Sequence, residues 1–70
     1  MIEVFKTDIS SSAQASHIAG LLVRHFPGGR ISVDLQDCDR VLRVEAEAVC
    51  AETVIRLLAD QGFACCVLDW

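Results

Sequence analysis

The chain has 70 residues, 53% of them hydrophobic and 6% aromatic, and ten acids against six bases give it a net charge of −4. That length fits one domain spanning residues 1–70, and a core in so short a chain hides only about 60% of the unfolded surface, so the fold is marginally stable unless idealised, stapled or oligomeric. The acidic balance and the absence of any Lys/Arg stripe argue against nucleic acid, and no apolar run approaches the roughly 20 residues of a membrane helix.

Ile2 to Thr7 reads as a strand, with Ile2 and Val4 expected on the core face and Glu3, Phe5 and Thr7 on the other. Ser10, Ser11 and Ser12 offer helix caps, and Ser11 followed by Gln14 has capping-box spacing. Ala15, Ile18, Leu22 and Phe26 then recur at helical intervals, with Leu21 beside them, until Pro27-Gly28-Gly29 ends the helix.

Ile31, Val33 and Leu35 alternate with Ser32, Asp34 and Gln36, the period of a half-buried strand. Asp37-Cys38-Asp39 has turn chemistry, and Val41 to Glu45 resumes the alternation, so the middle of the chain reads as a hairpin. A second helix fits Cys50 to Gln61 on the stripe Ala51, Val54, Ile55 and Leu58, and Gly62 supplies its stop. Phe63 to Trp70 is rich in strand formers.

The order strand, helix, strand, strand, helix, strand has a short list of solutions. Right-handed connections give an α+β, ferredoxin-like βαββαβ domain: a four-stranded antiparallel sheet with both helices on one face, the first and third strands central. Ile2, Val4, Ile31, Val33, Leu35, Leu42, Val44, Phe63, Cys65 and Val67 are expected under the helices. Phe5, Val41, Arg43, Cys66, Leu68 and Trp70 are expected on the uncovered face, where a group of apolar and aromatic side chains reads as a contact surface for a protein partner or a second copy.

Over nearly its whole length the chain resembles the heavy-metal-associated domain family, the small copper chaperones and the N-terminal modules of metal-transporting ATPases. The resemblance rests on Ile18 and Leu22 in the first helix, Phe26-Pro27-Gly28 followed by Ile31 to Leu35, and Val54-Ile55 and Leu58 ahead of Gly62-Phe63. It implies an M-x-C-x-x-C loop between first strand and first helix, where two thiolates bind Cu(I). Here that window reads Ile9-Ser10-Ser11-Ser12-Ala13-Gln14, with Ser11 and Gln14 at the two cysteine positions. Neither is a soft ligand, so the usual metal site is expected to be missing.

The four cysteines lie elsewhere. Cys50 starts the second helix, where the helix N-terminus lowers a thiol pKa, and Cys66 is expected on the open face; these two are the relocated candidates for copper or zinc. Cys65 is expected in the core, and Cys38 lies between two aspartates whose charge disfavours its thiolate. His17 and His25 are too far apart along one helix to chelate one ion. No nucleophile-base set assembles, so no enzyme is expected. With no export pattern at the start, the thiols are expected reduced in the cytoplasm.

The expected function is therefore a non-enzymatic interaction module acting through its open sheet face, without cofactor. The alternatives are a copper or zinc carrier with relocated thiols, and a small-molecule-binding regulatory domain of the kind this fold hosts elsewhere.

Overall fold

The computed structural model describes residues 1–68. The chain folds as β1 (Ile2–Thr7), α1 (Ser12–His25), β2 (Arg30–Asp34), β3 (Val41–Glu45), α2 (Ala51–Asp60) and β4 (Cys65–Val67). The strands form one antiparallel sheet in the order β2-β3-β1-β4, and both helices pack on the same face of it. This is the ferredoxin-like βαββαβ arrangement expected from the element order, with the first and third strands at the centre.

Local chemistry explains the boundaries. At the start of α1 the Ser11 hydroxyl accepts the Gln14 N–H at 3.2 Å. The reciprocal half of the box goes one residue further back, where Gln14 Oε1 accepts both the N–H and the hydroxyl of Ser10. The helix ends as Phe26 N–H bonds back to Leu22 C=O, and Gly28 takes a left-handed φ of 81° that a side chain would resist. Gly29 has a different reason to lack a side chain: a Cβ there would stand 2.7 Å from the Glu45 carbonyl oxygen of β3.

The core is built from Phe5, Ile18, Leu22, Leu42, Val44, Val54 and Leu58, together with Ile9 and Val49 from the connections. Those two connection residues were not expected from periodicity, since neither belongs to an alternating run. Each is an isolated apolar side chain just ahead of a helix, folded inward as the chain turns from strand to helix.

The face assignment of β1 corrects the sequence reading. Phe5 is fully buried under the helices and Ile2 is 47% exposed, so the expected inward Ile2 and Val4 point outward. The register states the same thing: Phe5 pairs with Leu42, and Val4 with Arg43. The physical reason lies in the sizes and positions of the side chains on the two phases. Each phase carries one ionisable side chain to the covered face, Lys6 with Ile2 and Val4 or Glu3 with Phe5 and Thr7. Lys6 would lie mid-strand under the helices, whereas Glu3 near the strand's start stays part-exposed while the larger Phe5 ring is hidden. The Thr7 hydroxyl donates to the Arg40 carbonyl at 2.6 Å and accepts from Ile9 N–H at 3.3 Å, so its burial leaves nothing unsatisfied.

The last strand is also shorter than expected. It covers Cys65–Val67 rather than Phe63 to Trp70, because Gly62 and Phe63 close α2 by bonding back to Ala59 and Leu58. Val67, expected in the core, is 45% exposed at the end of this edge strand.

Candidate functional site

The uncovered face of the sheet is the surface the sequence singled out. Alternation places Ile2, Val4 and Lys6 of β1 there, beside Val41, Arg43 and Glu45 of β3 and Arg30, Ser32 and Asp34 of β2. On the other side of β1, Cys66 pairs with Lys6 and Leu68 donates its N–H to Val4 C=O. Of the six residues expected on this face, Val41, Arg43 and Cys66 are on it and Leu68 lies at its margin, half-buried. Phe5 is not on it: it belongs to the core. Trp70 lies outside the described residues.

Among the described residues the face carries no aromatic side chain, and it is more mixed in charge than the sequence suggested. Val4, Val41, Ser32, Asp34, Asp37 and Arg43 line a shallow hollow at its centre. Lys6 Nζ stands 3.6 Å from Asp39 Oδ1, and Arg43 Nη2 stands 3.8 Å from Glu45 Oε2. Both pairs are solvent-exposed, so they orient side chains more than they stabilise the fold. Val4, Ser32, Asp34 and Asp37 were missed as members of the hollow.

The β2–β3 turn borders this face. Asp34 Oδ1 accepts Gln36 N–H at 3.0 Å and Asp37 Oδ1 accepts Asp39 N–H at 2.8 Å, the local bonding that makes aspartate a turn residue. Arg40 takes a left-handed φ of 46°, held by its N–H to Asp37 C=O and by the Thr7 hydroxyl on its own carbonyl. Within the turn, ligand atoms of Asp37, Cys38 and Asp39 lie within 4.8 Å of one another. The two acids already serve the turn and the Lys6 pair.

The loop that would hold metal by resemblance does not fit it. Ile9 is buried, Ser11 and Gln14 are engaged in capping, and the oxygens they offer are neutral and hard. No thiol reaches the loop from its own sequence window.

The thiols themselves are scattered. Cys50 is exposed at the start of α2, in a groove lined by His25, Glu52, Thr53, Arg56 and Leu57. It makes no side-chain capping bond, but the Thr53 hydroxyl and N–H beside it favour the thiolate and hold its pKa below the ordinary value. Cys65 is the opposite case: half-buried against the core, it is pushed up to about 12, first by burial and then by neighbouring Cys66 and Asp8.

Cys50 and Cys66 do not meet. Val49, next to Cys50, donates its N–H to Met1 Sδ at the start of β1, whereas Cys66 pairs with Lys6 near its end. Five residues of strand separate those points, about 16 Å, and the two thiols lie on opposite faces of the sheet. His17 and His25 are also apart. His17 Nε2 bonds Gln61 Oε1 at 2.8 Å, tying α1 to the end of α2, and His25 faces the Cys50 groove.

Compared with known proteins, the chain matches no family model, no curated protein and no solved structure. Among the described residues no helix is long and apolar enough to cross a membrane.

Proposed function

We propose that the protein is a small non-enzymatic interaction module, similar in design to a heavy-metal-associated domain without its metal loop, that binds a protein partner through the open face of its sheet. The observation that carries this reading is the uncovered row Ile2, Val4 and Val41, set among Lys6, Arg43, Glu45 and Asp34. An apolar centre inside a rim of both charge signs suits a partner surface of the same make-up, whose own apolar residues fill the hollow and whose charges meet the rim. The capped α1 loop supports the module reading by leaving no thiolate pair for copper.

A photoreactive residue in place of Arg43, on the open face, should capture a protein partner in the cell that produces the chain. The same probe in place of Glu52, on α2, should not. Equal capture from both positions, or none from Arg43, overturns the proposal.

A second reading has one observation in its favour, the exposed Cys50 with its lowered thiol pKa. A copper or zinc carrier built on it would need its second thiol from another chain, given how far away Cys66 lies. Anaerobic Cu(I) titration against a competing chelator tests it. Unchanged binding after replacing all four cysteines by serine removes it.

A further inference from the structure

Each end of a four-stranded sheet leaves a strand with one side unpaired, and the two ends of this sheet differ. β4 is three residues long, the kind of short edge that resists pairing. β2 is five residues long. Its free hydrogen-bonding groups can be identified from the register. Ala46 N–H bonds to Met1 C=O, so Ala46, Val44 and Leu42 direct their backbone groups to β1. Val41, Arg43 and Glu45 therefore serve β2, through their partners Asp34, Ser32 and Arg30. The N–H and C=O of Ile31 and Val33 are left pointing away from the sheet, and no other bond to them is formed among the described residues.

The sequence of this edge is complementary to itself. Laid antiparallel about Ser32, a second copy brings its Val33 opposite Ile31 and its Ile31 opposite Val33. Each such pair exchanges two backbone hydrogen bonds, on the side of the sheet where both side chains pack against the core. On the other side Arg30 comes opposite Asp34 of the second copy, and by symmetry Asp34 comes opposite its Arg30. A shift of register by one residue in either direction removes both the apolar match and the charge match.

A feature of α1 points to the same partner. His17 ties one flank of α1 to the end of α2, so the flank turned away from His17 looks out beyond the β2 edge. That flank carries Ser12, Ser16, Ala19 and Val23, small or apolar and without charge. Val23 is 45% exposed there, although α1 buries Ile18 and Leu22 in the core. Two helices cover four strands in this fold. Extending the sheet through β2 sets α1 beside its own copy at about two strand spacings, roughly 10 Å, the distance at which small-residue flanks pack.

We infer that the protein forms a two-fold dimer by antiparallel pairing of β2 with β2 of a second copy, giving a continuous eight-stranded sheet with four helices on one side. The inference is independent of the open-face proposal, because the edge can pair whether or not the face is occupied. The mass of the purified protein reports on the edge, and the Arg43 cross-link reports on the face.

Sedimentation equilibrium of the whole chain under reducing conditions should give twice the monomer mass. Arg30→Asp alone or Asp34→Arg alone sets like charges opposite each other in both symmetric pairs and should weaken the dimer about tenfold or more. The combined exchange Arg30→Asp with Asp34→Arg restores opposite charges and should recover the parent affinity, with circular dichroism showing that all three variants fold. The register has its own readout. Ser32 stands opposite itself in a non-hydrogen-bonded pair, with Cα atoms about 4.5 Å apart, inside the range a disulfide spans. In a background with Cys65→Ala and the other cysteines changed to Ser, Ser32→Cys should cross-link into dimers on mild oxidation, and Asp34→Cys should not. A monomer, a dimer insensitive to the single reversals, a double exchange that fails to recover, or a chain cross-linked equally from positions 32 and 34 overturns the inference.

Discussion

The two faces of the sheet are made from the same strands and obey different rules. Beneath the helices β1 supplies Phe5 and Thr7, where the aromatic ring is fully buried and the hydroxyl is held at both its donor and acceptor sides. One residue away, on the open face, Val4 is half-buried and Lys6 makes only an exposed pair with Asp39. The difference teaches where stability ends and recognition begins. On the covered face a change of one side chain leaves a cavity or an orphaned polar group. On the open face the same kind of change alters what the protein can touch while leaving the fold nearly as stable.

The sharpest way to break this contrast is to truncate each face of β1. Phe5→Ala should destabilise by about 3–5 kcal/mol, the cost of a lost buried ring and the cavity left behind, and Val4→Ala by about 1 kcal/mol or less. Urea denaturation midpoints at constant slope measure both, and equal losses would mean that the faces are not distinct. Thr7→Val comes next. It keeps the shape of the side chain but leaves the Arg40 carbonyl without its donor, and should lose about 1–3 kcal/mol, while Lys6→Met should change stability by less than about 1 kcal/mol.

β4 allows the comparison between adjacent residues of one chemical type. Cys66 is exposed, whereas Cys65 is half-buried with its thiol pushed up to about 12. Iodoacetamide at neutral pH should alkylate Cys66 and Cys50 well before Cys65, by about tenfold or more in rate, and peptide mass mapping over time reads the order. Comparable rates at Cys65 and Cys66 would show that the covered face opens readily.

The smallest effect is in pH. The folded state prefers Cys65 as the neutral thiol, its pKa raised from an ordinary 9.0 to about 12. Its contribution to stability is complete below pH 9 and is lost as pH rises from there toward 12. Urea midpoints should therefore fall between pH 9 and 10.5, and Cys65→Ala should flatten that slope. Because the thiol is only half-buried, solvent screening keeps the change small.

Much of the fold was legible because its signals are local. Ser11 with Gln14, the Pro27-Gly28-Gly29 stop and the aspartates of the β2–β3 turn each act within a few residues, and each is where the sequence put it. The candidate face was legible only in part. Val41, Arg43 and Cys66 follow from alternation once the strands are known, but Phe5 was assigned outward because both phases of Ile2 to Thr7 contain apolar residues. Charge does not separate them, because one phase carries Lys6 and the other Glu3; packing across the sheet decides, with Phe5 opposite Leu42. Ile9 and Val49 were invisible to any period, since an isolated apolar residue in a connection has no pattern to declare itself.

The sequence by itself determined the order and type of the six elements, the single antiparallel sheet and the absence of a thiolate pair ahead of the first helix. These depend on repeat period, caps, turns and the identity of two side chains, all read along the chain. Tertiary structure alone decided which face of β1 is buried, how far Cys50 lies from Cys66, and that the backbone groups left free on the β2 edge are those of Ile31 and Val33. Those facts depend on register and on what lies across a strand, and a one-residue shift in pairing reverses them while leaving every local pattern intact.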